Sequence, residues 1–151
     1  MTFEEQINDL IKKAIKAKER DRLEALRAIK SGILLERTKE GASSEPNESL
    51  YLKMIAKMVK QRHDSAIIYR QQNRPELAEK EEFEASVLNE FLPKQLSASE
   101  IEETVITIIK ELGAQNMKDM GKVMSKASVE LAGKAETKTI ADVVKKLLSG
   151  N

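Results

Sequence analysis

The fold of this chain is decided in its last third, by Met117-Lys-Asp-Met-Gly-Lys-Val-Met124, then Ala132-Gly-Lys-Ala-Glu136, then Ile140-Ala-Asp-Val-Val-Lys-Lys-Leu-Leu148. In the first and third segments apolar residues recur three or four positions apart, which predicts two short amphipathic helices. Gly133 stands between them, where a left-handed turn ends a helix. Alternating β-branched runs are lacking along the whole chain, so we predict an all-α protein.

Upstream of this segment the sequence predicts a four-helix N-terminal domain over residues 1–93. Its first helix begins at a capping box formed by Thr2 and Glu5, and a second box, Asp21 with Glu24, is expected to open the second helix. The residues 41–47 form a loop by composition. Asn73 and Pro75 are typical of a helix end followed by a helix start, and Pro93 ends the fourth helix.

Residues 97–151 are predicted to form a small three-helix C-terminal domain. Ser97 and Glu100 make a capping box at its start, and Gly113 fits the C-terminal end of its first helix. A unit of this size is only marginally stable alone. We therefore expect it to lean on the N-terminal domain or to move against it on a linker at 93–98.

Composition excludes several classes of protein. There is no cysteine and only one histidine, His63, so thiolate chemistry and His-pair metal sites are absent, and we expect no metal and no cofactor. Aromatic residues make up 3% of the chain, so stacking platforms for single-stranded nucleic acid are not expected. No apolar stretch is long enough to span a bilayer, and no signal peptide is evident. These features predict a cytoplasmic protein without a membrane partner.

Five segments in order resemble the YqeY-like family, whose tail module is shared with the GatB subunit of tRNA-dependent amidotransferases. The first four are Leu26-Arg-Ala-Ile-Lys-Ser31, Lys57-Met-Val-Lys-Gln-Arg62-His-Asp-Ser65, Asn73-Arg-Pro-Glu-Leu77-Ala-Glu-Lys-Glu81 and Phe91-Leu-Pro-Lys-Gln-Leu96-Ser97, and the fifth is the C-terminal tail. One position departs from the family pattern. The position lies in the segment 133–138 between the last two predicted helices, which we call the glycine corner. Members usually carry Gly-Lys-Ala-Asp-Gly-Lys there, whereas this chain has Glu136 and Thr137 in place of Asp and the second Gly. The change removes a glycine that permits close approach.

The resemblance implies an all-helical binding module whose tail contacts tRNA or a tRNA-handling complex. No catalytic residue is predicted, because the chain lacks a phosphate-binding glycine loop and a Ser-Ser-Lys amidase constellation. Two alternatives stay open. One is a carbon–nitrogen ligase activity with glutamine as the amido-N-donor, which would need other subunits; the other is a protein–protein adaptor that does not bind RNA.

The candidate nucleic-acid-binding residues are lysines of the tail. Between Met117 and Asn151 there are seven lysines against four acidic residues, although the net charge of the whole chain is only +1. At 100° per residue three of these lysines are expected to form one stripe on the sixth helix, and two flank the glycine corner, where the start of the seventh helix could hold a phosphate. The five candidates are Lys118, Lys122, Lys126, Lys134 and Lys138. A plain solvated face is the alternative interpretation, and Glu136 would compete for the same helix N–H groups.

Two glycines are interpreted as a structural corner. Gly133 fits a left-handed cap, and Gly121 lies within the sixth helix, where glycine costs about 1 kcal/mol relative to alanine. For Gly121 we expect a close helix crossing, and the alternative is close approach by a nucleic-acid backbone. The methionines of the tail are expected to fill the core.

A structural ion-pair network is predicted in the N-terminal domain. Arg62 on the third helix and Lys30 on the second fall among apolar positions, and a cation there needs an anion or must extend to water. Glu81 and Glu84 on the fourth helix are the expected partners. Acid–base catalysis by the two carboxylates is the less favoured alternative.

Overall fold

The structure is a computed structural model that describes residues 1–39 and 48–150, and all regular structure in these ranges is helical. This confirms the all-α prediction for the described residues; the loop predicted at 41–47 lies outside them. The chain divides into two compact units, Met1–Leu92 (unit 1) and Pro93–Asn151 (unit 2). That each unit folds as an independent domain stays a prediction.

The described residues of unit 1 form four helices, α1 (Phe3–Ala17), α2 (Arg20–Lys39), α3 (Glu48–Gln71) and α4 (Pro75–Asn89). α1 packs along α2, α3 packs along α4, and α2 also packs against α4. These contacts bury one apolar stripe from each helix, and such burial is the main term that stabilises a helical domain. The core consists of Ile7, Ala14, Leu26, Ile29, Ile33, Tyr51, Ile55 and Leu88.

Local signals place most helix ends of unit 1. Thr2 and Glu5 form the predicted capping box, and Asn73 adopts a left-handed conformation (φ 59°) just before Pro75 begins α4. The predicted start of α2 at Asp21 is wrong. α1 ends at Ala17, and its C-cap Lys18 is left-handed (φ 58°), so the chain turns there and α2 already begins at Arg20.

Unit 2 contains α5 (Ala98–Leu112), a 3-10 turn (Met117–Asp119), α6 (Met120–Glu130) and α7 (Thr137–Leu148). The predicted box of Ser97 with Glu100 opens α5, and Gly113 ends it at φ 66°. The three helices pack on one another around a core of Ile101, Val105, Ile108, Val123, Ala127, Leu131, Ile140, Val144 and Leu148. Because this core uses the apolar faces of all three helices, the lysines are left on the remaining faces.

Candidate nucleic-acid interface

The five candidate lysines lie at four places in unit 2: the 3-10 turn, α6, the turn after α6 and α7. Lys118 belongs to the 3-10 turn, so the predicted single stripe on α6 is corrected: only Lys122 and Lys126 are residues of α6. The reason is that Asn116 caps the 3-10 turn, its side-chain Oδ1 accepting from the Lys118 N–H at 2.9 Å. Lys118, Lys122 and Lys138 are exposed, whereas Lys126 and Lys134 are half-buried.

The approach to α6 carries a negative charge beside the lysines. The Gln115 N–H donates to Asp119 Oδ2 at 2.9 Å, and this backbone hydrogen bond holds the pKa of the Asp119 carboxyl below its ordinary value. Lys122 lies near enough to lower the same pKa further. Asp119 is therefore an anion at neutral pH and offsets part of the positive charge of Lys122.

Lys126 is engaged in an ion pair between helices. Its Nζ donates to Glu111 on α5 and lies 4.0 Å from Glu130 on its own helix. The hydrogen bond to Glu111 raises the pKa of the Lys126 ammonium. A phosphate would have to compete with two carboxylates for this cation, which makes Lys126 the weakest of the five candidates.

Gly133 adopts the left-handed conformation that the sequence predicted, with φ 73°. The C-cap of α6 is Leu131 rather than the glycine, so Gly133 stands two residues beyond the cap, inside a turn closed by the Lys134 N–H and the Leu131 carbonyl at 2.9 Å. Gly133 is buried while Lys134 is half-buried. Lys134 lies three residues before Thr137, the first residue of α7.

At the start of α7, the Glu136 carboxylate does not occupy the helix N–H groups for which it was expected to compete with a phosphate. Glu136 is the N-cap residue, but its side chain makes no hydrogen bond to the first turn of the helix. Lys138 lies in that first turn and is exposed. The first N–H groups of a helix carry partial positive charge, so Lys134 and Lys138 stand on either side of a helix start that its own N-cap side chain leaves uncapped.

Gly121 has no packing role. It is exposed at the second position of α6, and a Cβ built on it meets nothing within 4 Å. The close helix crossing predicted for this glycine is therefore wrong, because its face of α6 points away from the core residues Val123 and Ala127.

Of the ion-pair network expected in unit 1, the described residues contain the pair of Arg62 with Glu84. Arg62 Nε lies 3.6 Å from Glu84 Oε2, and the two side chains are 22% and 13% exposed. Lys30 is exposed instead of lying among apolar residues, because the buried stripe of α2 passes through Leu26, Ile29 and Ile33. Burial raises the pKa of the Glu84 carboxyl, Arg62 opposes this shift, and the negative charge of Glu81 adds to it.

Unit 1 also contains a cavity of about 660 Å³ that the sequence analysis missed. It is bounded by the first turns of α1 together with Arg37, Glu48 and Tyr51. Arg37 forms an ion pair with Glu4, and its buried Nε has no hydrogen-bond partner among the residues that the structure describes. Residues from three helices meet here, so no local sequence signal marks the cavity.

Within residues 1–39 and 48–150, no three His, Cys, Asp or Glu side chains are grouped so that they could hold a metal ion. No helix in this described part of the chain is both long enough and apolar enough to cross a membrane.

Comparison with known proteins agrees with the segments found in the sequence. The family model described as YqeY-like protein matches residues 4–148. The chain is also similar to the altered inheritance of mitochondria protein 41, mitochondrial, of Clavispora lusitaniae, with 35% identity over 108 residues. The matched region is 70% of this chain and 62% of that relative, so the chain matches less than two thirds of the relative's length.

Proposed function

The chain belongs to the YqeY-like protein family, and from this premise we propose that it is a non-catalytic helical module that binds tRNA through unit 2. Family membership supports a helical domain of the GatB-tail kind. The RNA contact is our proposal, and in it Lys118, Lys122, Lys134 and Lys138 neutralise phosphates while Lys126 contributes least.

One observation carries the proposal: Gly121 is exposed, has open space around it, and lies directly beside Lys122. A glycine at a position that alanine could occupy without strain costs stability, and among the described residues no packing neighbour accounts for Gly121. A residue without a side chain lets a sugar–phosphate backbone come close to the helix. The adjacent lysine supplies the positive charge that such a backbone requires.

The distribution of charge supports the same proposal. α5 and its cap carry four glutamates against one lysine between Ala98 and Gly113, whereas seven lysines face four acidic residues from Met117 onward. A protein with a net charge of +1 can attract a polyanion only through a local excess of this kind.

The test is tRNA binding by the full chain at several salt concentrations. We compare the wild type with Lys122→Glu/Lys134→Glu, and the matched control is Lys12→Glu/Lys13→Glu, which makes the same change in charge at two exposed residues of α1. The tail variant should bind much more weakly, and the slope of log K against log salt should fall by about 2, roughly 0.9 for each lost phosphate contact. Equal weakening in both variants, or no binding by the wild type, would refute the proposal.

The alternatives make different predictions. A carbon–nitrogen ligase would release glutamate from glutamine in the presence of ATP once its other subunits are supplied, and substitution of the tail lysines would change that activity. An adaptor without RNA contact would bind its protein partner equally well after ribonuclease treatment. We also propose a cytoplasmic location. Colocalisation of the tagged chain with a mitochondrial marker, the location that the relative's name gives for that protein, would overturn it.

A further inference from the structure

The segment that leads into α5 is tied to the glycine corner of the same unit. The Leu96 N–H donates to the Lys134 carbonyl at 2.9 Å, and the Leu96 side chain packs against the core of unit 2. The linker expected at 93–98 is thus anchored within unit 2 at Leu96. Through this hydrogen bond, the backbone at Leu96 is joined to the turn that contains Lys134.

Gln95 adds a second tie through its side-chain amide. Its Nε2 donates to the Gly133 carbonyl at 2.5 Å and to the Pro93 carbonyl at 3.2 Å. A glutamine amide nitrogen carries two N–H donors, so this one group can serve both carbonyls. The bond to Gly133 joins residues that are 38 positions apart in the chain.

Together these bonds fix the peptide units on both sides of Lys134's backbone. The Gly133 carbonyl accepts from the Gln95 side chain, and the Lys134 carbonyl accepts from the Leu96 N–H. The Lys134 N–H donates to the Leu131 carbonyl. A glycine has access to many backbone conformations, and a turn that depends on one needs such bonds to keep a single geometry. The direction in which the Lys134 side chain leaves the backbone follows from that geometry.

We propose that Gln95 is a positioning residue for the anion-binding corner: its amide holds the Gly133 carbonyl so that Lys134 presents its ammonium group beside the start of α7. Gln95 itself does not contact the phosphate. The inference rests on the proposed function, since it assigns a role in RNA binding to a residue that acts through Lys134.

The experiment compares Gln95→Leu, Lys134→Ala and the double variant with the wild type, each as the whole chain of 151 residues. Leucine keeps about the same bulk and removes the donors. Gln115→Leu is the matched control, because Gln115 is another exposed glutamine of unit 2. For each protein the salt dependence of tRNA binding is measured together with the amide hydrogen exchange of Leu96 and Lys134.

The expected result has three parts. Gln95→Leu lowers the salt slope by about 0.9, the value for one phosphate contact, and reduces affinity by the same factor as Lys134→Ala. The double variant binds no more weakly than either single variant. Exchange at the Leu96 and Lys134 amides becomes faster in Gln95→Leu but not in Gln115→Leu.

Two results overturn the inference alone. One is a wild-type salt slope in Gln95→Leu while Lys134→Ala still loses a contact. The other is additive loss in the double variant, which shows that Gln95 and Lys134 act independently. If the wild type does not bind tRNA, the proposed function fails and the inference fails with it. If Lys134→Ala binds as the wild type does, Lys134 is not a contact and Gln95 has nothing to position.

Discussion

Replacing Gly121 with alanine tests whether this glycine serves the fold or a bound molecule. The added Cβ would meet nothing within 4 Å, and Gly121 does not have the positive φ that disfavours other residues. Its carbonyl, which accepts from the Ser125 hydroxyl at 2.9 Å, is unaffected by the substitution. The change therefore brings no clash and no backbone strain.

The expected effect is a more stable protein. At a compatible site, Gly→Ala stabilises by about 0.4–1 kcal/mol, chiefly because the unfolded chain becomes less flexible. For a unit of roughly 60 residues this corresponds to an increase in Tm of roughly 2–8 °C. The measurement is thermal unfolding followed by circular dichroism and calorimetry, which would also show whether the two units unfold in separate transitions.

Gly113→Ala is the matched control. Space is equally open at Gly113, but its φ is +66°, and the left-handed conformation costs a residue with a Cβ about 1–2 kcal/mol. The two substitutions should therefore shift Tm in opposite directions. If Gly121→Ala lowers Tm, the structural reasoning is refuted. If it raises Tm and leaves tRNA affinity unchanged, the fold is described correctly and the close approach of RNA at this glycine is refuted.

Two further predictions concern charged groups. Arg62→Met should destabilise unit 1 by about 1–3 kcal/mol, because Glu84 is then a largely buried carboxylate without its cation, and the loss should shrink as pH falls and Glu84 becomes protonated. Arg22→Met, which removes the more exposed pair with Glu90, should cost under about 1 kcal/mol, and equal losses in chemical denaturation would contradict the burial argument. At Glu100, the Ser97 N–H lowers the carboxyl pKa below its ordinary 4.5; the cap therefore stabilises α5 fully above that pH and loses its effect as pH falls through the lowered value. Glu100→Gln should remove this part of the acid dependence of unfolding, and an unchanged pH profile would show that the carboxylate does not act in this way.

Several features of the fold could be predicted because their causes are local. The capping boxes of α1 and α5 join a residue to another three positions away, and Gly113 and Gly133 relieve a steric conflict within a single residue. Such signals need no knowledge of distant partners. The predicted start of α2 is wrong because the left-handed turn before it is made by Lys18. Lysine rarely adopts this conformation, so its presence in the sequence does not indicate a turn.

The candidate site could be predicted only in part. The sequence identified the lysines and their local excess over acidic residues, and the structure distributes them over the 3-10 turn, α6, the glycine corner and α7. It also distinguishes them by their partners, since Glu111 reaches Lys126 across α5 and α6. Helical periodicity assigns a residue to a face but does not say which helix covers that face.

The sequence by itself determined that the chain is helical, where most helices end, and to which family it belongs, because apolar spacing, capping and turn residues act over a few positions. Only the tertiary structure decided that Arg62 is held in the interior with Glu84 while Lys30 is exposed. It likewise decided that Gly121 faces open space and that Gln95 binds the corner 38 residues away. Each of these depends on which side chains from other segments arrive at a position, and that is settled only when the helices pack.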